Sequence, residues 1–314
     1  MEEEVNAKKM KEIFLSPADD LSAAMKNAAA GTRFVLAAGE YKVKLEITSP
    51  HIEIVGQGAD KTRIVRDDYA NKLDENGVEY NTFRTYTAAV LAEGVSMKEL
   101  AVINSAGSPE VKGQEVALTI CADDFLAENC SFISTQDTVF CGPLPDDLIA
   151  RYEGFLKDSL RRCGSMTQVF KNCLIAGNVD FIFGCGDALF ENCEIRSVYD
   201  VRGGGYTAAP AHAESQDTGF IFDSCRFTCE DRVADGSVYL ARPWRDYGKC
   251  SFINCGYGRH ISAEGFDKWN DTSRDKTARF AEWGDIPKGR VPWGRKLTET
   301  EKDKLTAFFR KDGQ

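Results

Sequence analysis

A short motif that recurs around the cysteines is the strongest constraint on the fold of this 314-residue chain. Each copy has an apolar run, then Asn or Ser, then Cys and an alternating apolar stretch, and the copies centre on Cys130, Cys173, Cys193, Cys225 and Cys255. Asn suits a left-handed turn, so each copy predicts a strand that enters and leaves a tight bend. The copies are 43, 20, 32 and 30 residues apart. A nearly constant core with variable spacers is typical of a solenoid, in which insertions fall in surface loops.

The short strands and the scarcity of helical patterns favour an all-β chain that forms a parallel β-helix. In that fold Cys130, Cys173, Cys193 and Cys225 would stack as small buried side chains, one in each coil. A redox or metal role for these cysteines is the less favoured alternative. Two apolar runs indicate earlier coils; they are Ile52 to Gly56 and Leu100 to Asn104.

Three segments have helical rather than strand patterns. An Ala-rich stretch from Leu21 to Ala30 predicts an N-terminal capping helix, and Thr298 to Phe309 predicts a charged C-terminal helix. Residues 143–167 form a helical insert with apolar positions at i, i+4 and i+7, for which Asp146 is the expected N-cap. We therefore expect one domain, divided into a cap (1–30), a β-helix (31–293) that carries the insert, and a tail (294–314).

Composition excludes several classes of function. The chain has 39 basic and 49 acidic residues, and its net charge of −10 argues against nonspecific nucleic-acid binding. No apolar stretch reaches eighteen residues, so no membrane span is expected. The acidic segment Met1 to Val5 does not resemble a signal peptide, which favours the cytoplasm; a secreted protein whose leader has been removed is the alternative. With an odd number of cysteines and no CxxC pair, we expect free thiols and no metal site. We also expect no cofactor and a monomer.

One carboxylate stands out because it interrupts an apolar run. Asp180 lies within Val179 to Gly184, where an unpaired charge would be costly to bury. A second carboxylate, Asp137, follows Gln136 in another apolar setting. Two carboxylates in unequal environments can have separated pKa values and can therefore serve as a nucleophile and an acid at neutral pH.

Other catalytic classes lack their usual residues. The chain has no GxSxG motif and no HExxH motif. It has three histidines, and we expect all of them to be structural; they are His51, His212 and His260. Catalysis must then depend on carboxylates, amides and arginine.

Four runs, in order along the chain, resemble the motifs of the pectin methylesterase (pectinesterase) family. They are Gln114 to Leu118, Gln136 to Val139, Asp180 to Gly184 and Leu240 to Trp244, beside family patterns of roughly QAVAL, QDTL, DFIFG and LGRPW. The resemblance extends from about Gly31 to Trp293. It implies a right-handed, single-stranded parallel β-helix and the hydrolysis of methyl esters on galacturonate chains.

The resemblance also implies a role for each matching residue. Asp180 would be the nucleophile, and Arg242 would keep it ionised and oriented. Asp137 would be the general acid that protonates methanol and then the base that activates water. Gln114 and Gln136 would donate hydrogen bonds to the developing oxyanion.

Three aromatic residues and the insert bear on the substrate, which the resemblance implies to be methylated galacturonan or oligogalacturonide. Trp244 would stack on a sugar ring, and Phe140 and Phe183 would line sugar subsites. With the 143–167 insert, the two aspartate motifs are separated by about twice as many residues as is usual in the family. We expect it to close one end of the cleft and to favour short oligosaccharides over long polymer.

The chain departs from the family pattern at several positions. Val43 stands where Glu is common, Ala241 replaces Gly, and Glu115 adds a negative charge beside Gln114. A second QDT string, Gln216 to Thr218, lies in a Gly- and Ala-rich loop and is expected to form a turn.

Three other functions remain open from the residues. One is an esterase or thioesterase that acts on another acyl group with the same fold. Another is a β-helix glycosidase or lyase, since paired carboxylates also suit glycosidases. The last is a carbohydrate-binding solenoid without activity.

Overall fold

The computed structural model describes residues 10–309, so the acidic segment Met1 to Val5 lies outside the described residues. In chain order the strands are β1 (Lys11–Leu15), β2 (Thr32–Leu36), β3 (Gly39–Lys42), β4 (Leu45–Ile47), β5 (Glu53–Val55), β6 (Thr62–Arg66), β7 (Ala88–Val90), β8 (Ser96–Lys98), β9 (Ala101–Asn104), β10 (Leu118–Ile120), β11 (Phe125–Glu128), β12 (Ser131–Ile133), β13 (Val139–Cys141), β14 (Thr167–Lys171), β15 (Leu174–Gly177), β16 (Val179–Gly184), β17 (Asp187–Glu191), β18 (Glu194–Ser197), β19 (Gly205–Pro210), β20 (Phe220–Asp223), β21 (Arg226–Cys229), β22 (Val238–Ala241), β23 (Lys249–Ile253), β24 (Gly256–Tyr257), β25 (Arg279–Trp283) and β26 (Arg295–Lys296).

These strands form three parallel sheets around one apolar core. Sheet A has the order β1-β2-β5-β8-β11-β14-β17-β20-β23-β25-β26. Sheet B has the order β24-β21-β18-β15-β12-β9-β6-β3, and sheet C has the order β22-β19-β16-β13-β10-β7-β4. The chain passes from sheet A to B to C and then begins the next coil, which makes it a parallel β-helix, and parallel crossovers of this kind are right-handed. The predicted fold class is confirmed.

The bends between sheets A and B explain the recurring Asn. At each bend one residue adopts a left-handed backbone; φ is 53° at Asn172 and Asn192, 56° at Ser224 and 51° at Asn254. Asn tolerates this conformation better than most residues do. Neighbouring coils are joined here, since the Asn192 amide donates to the Asn172 amide oxygen over 2.6 Å.

The cysteines of the motif form a column inside the coils, as predicted. Cys130, Cys173, Cys193 and Cys225 are buried, and each thiol donates to a backbone carbonyl of the preceding coil. All eleven cysteines are free thiols, and burial raises the pKa of Cys130 to about 12. A protonated, buried thiol behaves as a small apolar side chain.

Stacked phenylalanines fill the same core. The rings of Phe170, Phe190, Phe222 and Phe252 lie over one another on successive strands of sheet A, with centroids 4.7–4.9 Å apart. Equivalent positions in successive coils therefore carry Asn or Ser at the bends, and Cys and Phe in the apolar interior.

The helices partly match the expectations. They are α1 (Leu21–Lys26), α2 (Pro109–Lys112), α3 (Asp146–Arg151) and α4 (Glu299–Phe308), with 3₁₀ turns at Thr82–Arg84, Asp158–Leu160 and Arg274–Lys276. Asp20 caps α1, and Thr298 with Glu301 forms a capping box at α4.

The insert is less helical than its periodicity predicts, and the expected N-cap is wrong. Pro145 occupies the N-cap position, and Asp146 begins α3 instead. The extended backbone of Pro145 ends the preceding segment there. Asp146 and Asp147 then lie in the first turn, where a negative charge is favourable.

The proposed division into cap, β-helix and tail stays a prediction. Two strands lie beyond the expected β-helix boundaries, because β1 pairs with β2 and β26 pairs with β25. Within residues 10–309, no helix combines the length and the apolar character needed to cross a membrane.

Candidate active site

Sheet C brings the motif residues together. Asp137 lies just before β13, Asp180 lies in β16, and Arg242 lies just after β22. These strands are close in the sheet order β22-β19-β16-β13, so residues more than a hundred positions apart meet on its outer face. This convergence is what a solenoid provides for side chains at equivalent positions in different coils.

The backbone at Asp180 explains how a carboxylate fits in an apolar strand. The register between β16 and β19 shifts between Val179 and Ile182, and Asp180 has a left-handed φ of 51°. An irregularity of this kind re-aims a side chain without breaking the sheet. Phe181 and Ile182 therefore remain in the core while the Asp180 carboxylate faces the cleft.

The last residue of the same motif must be glycine for a separate, steric reason. Gly184 has a φ of 132°, and a Cβ atom there would lie 2.0 Å from the Cys141 carbonyl oxygen. Only glycine fits where β16 runs so close to β13.

Arg242 pairs with Asp180 through two hydrogen bonds. Its Nε donates to Oδ1 over 2.8 Å, and its Nη2 donates to Oδ2 over 2.7 Å. The guanidinium is held between two aromatic faces, 3.7 Å from the Tyr206 ring centroid and 4.0 Å from that of Trp269. Burial raises the pKa of Asp180, and the Arg242 hydrogen bonds lower it and limit that rise.

Asp137 has the opposite electrostatic situation. The residue is 8% exposed, and its carboxyl group makes no side-chain hydrogen bond within residues 10–309. Burial raises its pKa well above the usual range, and the nearby charge of Asp180 raises it further. The proton of the pair is therefore held on Asp137, and the charge is held on Asp180.

The two glutamines lie beside the aspartates. Gln114 and Gln136 both line the cleft that contains Asp137 and Asp180. Arg202 donates from Nη1 to the Gln136 amide oxygen over 2.9 Å, and Asp200 holds Arg202 through bonds of 2.9 and 2.6 Å. Because its oxygen is engaged, Gln136 keeps its NH₂ group as the donor for a ligand.

The cleft is a cavity of about 450 Å³ that contains seven of the eight predicted site residues. Trp244 and Phe183 are in its wall, with their rings edge to face at 5.8 Å. Phe140 differs from the expectation because it is 1% exposed and is not part of the wall. It packs against Phe83 and Phe183 within the apolar cluster that the insert covers.

The insert forms one side of this cleft. Leu148, Arg151 and Tyr152 line the cavity. Arg245 fastens α3 to the segment after β22, since its guanidinium donates to both carboxylate oxygens of Asp147 over 2.8–3.1 Å.

A second cavity of about 660 Å³ lies on the other side of this ion pair. Its wall includes Pro143 to Asp147, and Arg245 lines both cavities.

Other sequence candidates lie away from the site. Glu115 turns from the cleft, because its carboxylate accepts hydrogen bonds from the Gly107 amide and the Thr135 hydroxyl. Gln216 is bonded to Ala213 and to the Cys185 carbonyl, as a turn residue is.

The histidines also lie away from the cleft. His212 is buried, accepts from the Lys249 amide and bonds the Gly186 carbonyl, and burial lowers its pKa to about 4. His260 is buried as well, and His51 occupies a left-handed turn.

Several residues of the site were not found from the sequence. Arg202, Tyr206 and Trp269 contact Gln136 or Arg242, and Arg151 enters the cleft from the insert. None of them belongs to the four motifs. A Gly-rich loop directly after Arg202 was the one available signal, because such loops place side chains beside a site.

Comparison with known proteins gives a consistent result. A family model described as Pectinesterase matches residues 6–143 and 151–309. Pectinesterase QRT1 of Arabidopsis thaliana is 30% identical over 274 residues, which cover 84% of this chain and 65% of that protein. Pectinesterase 1 of Citrus sinensis is 30% identical over 267 residues, which cover 82% of this chain and 41% of that protein. The chain thus spans less than two thirds of these relatives.

Solved structures share the fold. Pectin methylesterase PemA from Erwinia chrysanthemi has a TM-score of 0.79 at 23% identity, over 96% of this chain and 97% of that one. A pectin methylesterase in complex with a hexasaccharide has a TM-score of 0.78 at 24% identity, over 94% and 93% of the two chains.

Proposed function

The chain belongs to the pectinesterase family, and from that premise we propose that it hydrolyses methyl esters of galacturonate units in pectin or its oligosaccharides. The products are methanol and free carboxylates. The observation that carries the proposal is the bidentate Asp180–Arg242 pair beside a buried, unpaired Asp137 in one cleft. Such a pair gives one carboxylate that stays charged and one that holds a proton.

In the first half of the reaction, the Asp180 carboxylate attacks the carbonyl carbon of the methyl ester. Negative charge develops on the carbonyl oxygen, and the amides of Gln114 and Gln136 donate hydrogen bonds to it. Loss of one such donor typically slows an enzyme by about 100- to 1000-fold. Asp137 gives its proton to the departing oxygen, so that methanol leaves and Asp180 is joined to the substrate as an anhydride.

The second half returns the enzyme to its starting state. Asp137, now a carboxylate, takes a proton from water, and the resulting hydroxide attacks the substrate carbonyl of the anhydride. The bond to Asp180 breaks, and its carboxylate is released to Arg242. Arg242 remains charged throughout because its pKa lies far above neutrality.

The substrate specificity that we propose follows from the walls of the cleft. Trp244 offers an aromatic face to a sugar ring, and Phe183 packs edge to face against the indole. The insert closes the side formed by Leu148 and Tyr152. We propose that short or terminal oligogalacturonides are preferred over long polymer.

Methanol release from methylated oligogalacturonides tests the reaction. We expect Asp180→Asn to lower turnover by at least about 1000-fold while binding of the oligosaccharide is kept, because the amide is isosteric but not nucleophilic. Asp271→Asn, on an exposed loop, is the matched control with unchanged turnover.

Other products would point to the alternative functions. New reducing ends would indicate a glycosidase, and unsaturated products would indicate a lyase. Binding without methanol release by the unmodified chain would indicate a carbohydrate-binding protein, and turnover of thioesters alone would indicate another acyl substrate.

A further inference from the structure

A separate cavity lies under helix α4, on the outer face of sheet A. One row of outward side chains crosses this sheet in register, with Leu189, Ile221, Ser251, Ala281 and Arg295 on neighbouring strands. The row changes from large apolar residues to Ser and Ala at the point where α4 covers it. The small side chains leave a cavity of about 430 Å³, a size found for small-molecule sites.

Positive charges are concentrated around this cavity. Lys249 and Arg279 are direct partners in the register of β23 and β25, and like charges in that position repel each other. Arg295 and Lys304 add two further cations to the wall. With four cations against the two carboxylates of Asp217 and Glu301, the wall has a net charge of +2 in a chain whose net charge is −10.

The charge of these cations is only partly compensated, by the carboxylates of Asp217 and Glu301 in the same wall. Arg279 donates to backbone carbonyls of residues 213, 214, 216 and 247, and Lys249 donates to the Asp217 carbonyl. Carbonyls are neutral acceptors. Of the four cations, Arg295 has an ion pair with a carboxylate, that of Glu301, within residues 10–309.

A residue of the cavity wall has a buried hydroxyl without a partner among residues 10–309. Ser251 is 1% exposed and lines the wall, and its oxygen has no hydrogen-bond partner in the described part of the chain. A buried polar group that lacks a partner costs free energy, so its presence points to a group that completes the site.

We propose that this cavity binds a small organic carboxylate. The anion accepts hydrogen bonds from Lys249 and the Ser251 hydroxyl beside the charge of Arg279, whose own N–H groups donate to carbonyls. The apolar body of the ligand contacts Leu297, Leu305 and Phe308. An anion between Lys249 and Arg279 removes their mutual repulsion. The site is independent of the catalytic cleft, because that cleft is on sheet C and shares no residue with it.

Titration of the full chain with 4-phenylbutyrate tests the proposal, and 4-phenylbutanol serves as the uncharged control. We expect saturable heat in calorimetry and a rise of the melting temperature with the acid, since a ligand of the native state stabilises it. The alcohol gives neither response. Equal responses to the two compounds, or no saturable binding of the acid, overturn the proposal.

Variants locate the binding. We expect Ser251→Val and Lys304→Glu each to weaken binding by about tenfold or more, because the first removes a hydrogen-bond donor and the second reverses a positive charge in the wall. Lys304 is exposed on α4, so Lys304→Glu remains informative if Ser251→Val does not fold. Trp244→Ala should leave the response intact. Loss of the response in Trp244→Ala, or its persistence in Lys304→Glu, contradicts the site.

Discussion

At Asp137, burial and a neighbouring carboxylate act in the same direction. Both disfavour the charged form, whereas Asp180 has Arg242 to oppose its burial. Two carboxyl groups on adjacent strands of one sheet thereby acquire different protonation states without any histidine. The difference in protonation depends on which carboxylate the Arg242 guanidinium bonds. Tyr206 and Trp269 hold the guanidinium where it bonds Asp180.

Asp137→Asn should stabilise the protein at neutral pH. A raised pKa in the folded state means that the native protein binds this proton more tightly than the unfolded chain does, so stability falls as pH rises above about 4. Each unit of upward shift corresponds to about 1.4 kcal/mol. Thermal unfolding at pH 7 and below pH 4 measures the effect: the gain should be present at pH 7 and absent at low pH. Asp271→Asn should show no such gain, and an equal gain at both pH values contradicts the assignment.

Arg202→Lys tests whether Arg202 acts through Gln136. Lysine keeps the charge but cannot bond both Asp200 and the Gln136 amide in the same way, so we expect kcat to fall by about tenfold with little change in KM. In a Gln136→Ala background the same change should have almost no further effect, because coupled residues are not additive. Independent, additive losses would show that Arg202 has another role.

The motif residues were predictable because their chemistry is local in the sequence. Asp180 is unusual in any apolar strand, and Arg242 lies beside Trp244 in a recognisable string. Arg202 and Trp269 were not predictable, since their contacts depend on how the loops after β18 and β24 fold back over sheet C. Phe140 was misassigned because alternation along a strand gives the face of a residue but not what covers that face.

Among the elements, the insert changes the site most. The family match omits residues 144–150, which contain most of α3. Leu148, Leu156 and Leu160 of this segment are buried against the outer face of sheet C. The periodicity predicted the apolar face correctly, but six residues of α3 and a 3₁₀ turn replace the expected longer helix. Pro145 and the contacts with the sheet, rather than helix propensity, determine its shape.

Asp147→Ala should loosen the insert without unfolding the protein. Asp147 is half exposed, so the loss of its pair with Arg245 should cost at most about 1 kcal/mol. We expect KM for methylated trimers to rise and the activity on long pectin, relative to trimers, to increase, because Arg245, which lines both cavities, no longer holds α3 in place. Asp158→Ala, a fully exposed position of the same insert, is the control. Long pectin processed as fast as trimers by the unmodified chain contradicts the proposed wall.

For the molecule as a whole, the cysteine spacing predicted the architecture because each coil repeats one packing solution. The left-handed Asn, the buried thiol and the stacked Phe recur at fixed positions in successive coils. The spacers between the copies carry no such repeat. Their conformations, and therefore the cavity under α4 and the walls of the cleft, follow from contacts between distant parts of the chain and were not available from the pattern.

The burial of the cysteine column has a practical consequence for spectroscopy. Of the eleven thiols, Cys163 is exposed, and it lies in the insert. Cys229 and Cys255 are half-buried, and the rest are buried. We expect a maleimide dye to react first at Cys163 in the native protein, and Cys163→Ser to remove the fast phase of labelling. Equal labelling rates at several cysteines, mapped by peptide mass, would contradict this. A fluorophore can thus be attached to the insert of the unmodified chain, where it reports the position of the insert over the cleft. The thiols inside the coils remain unlabelled.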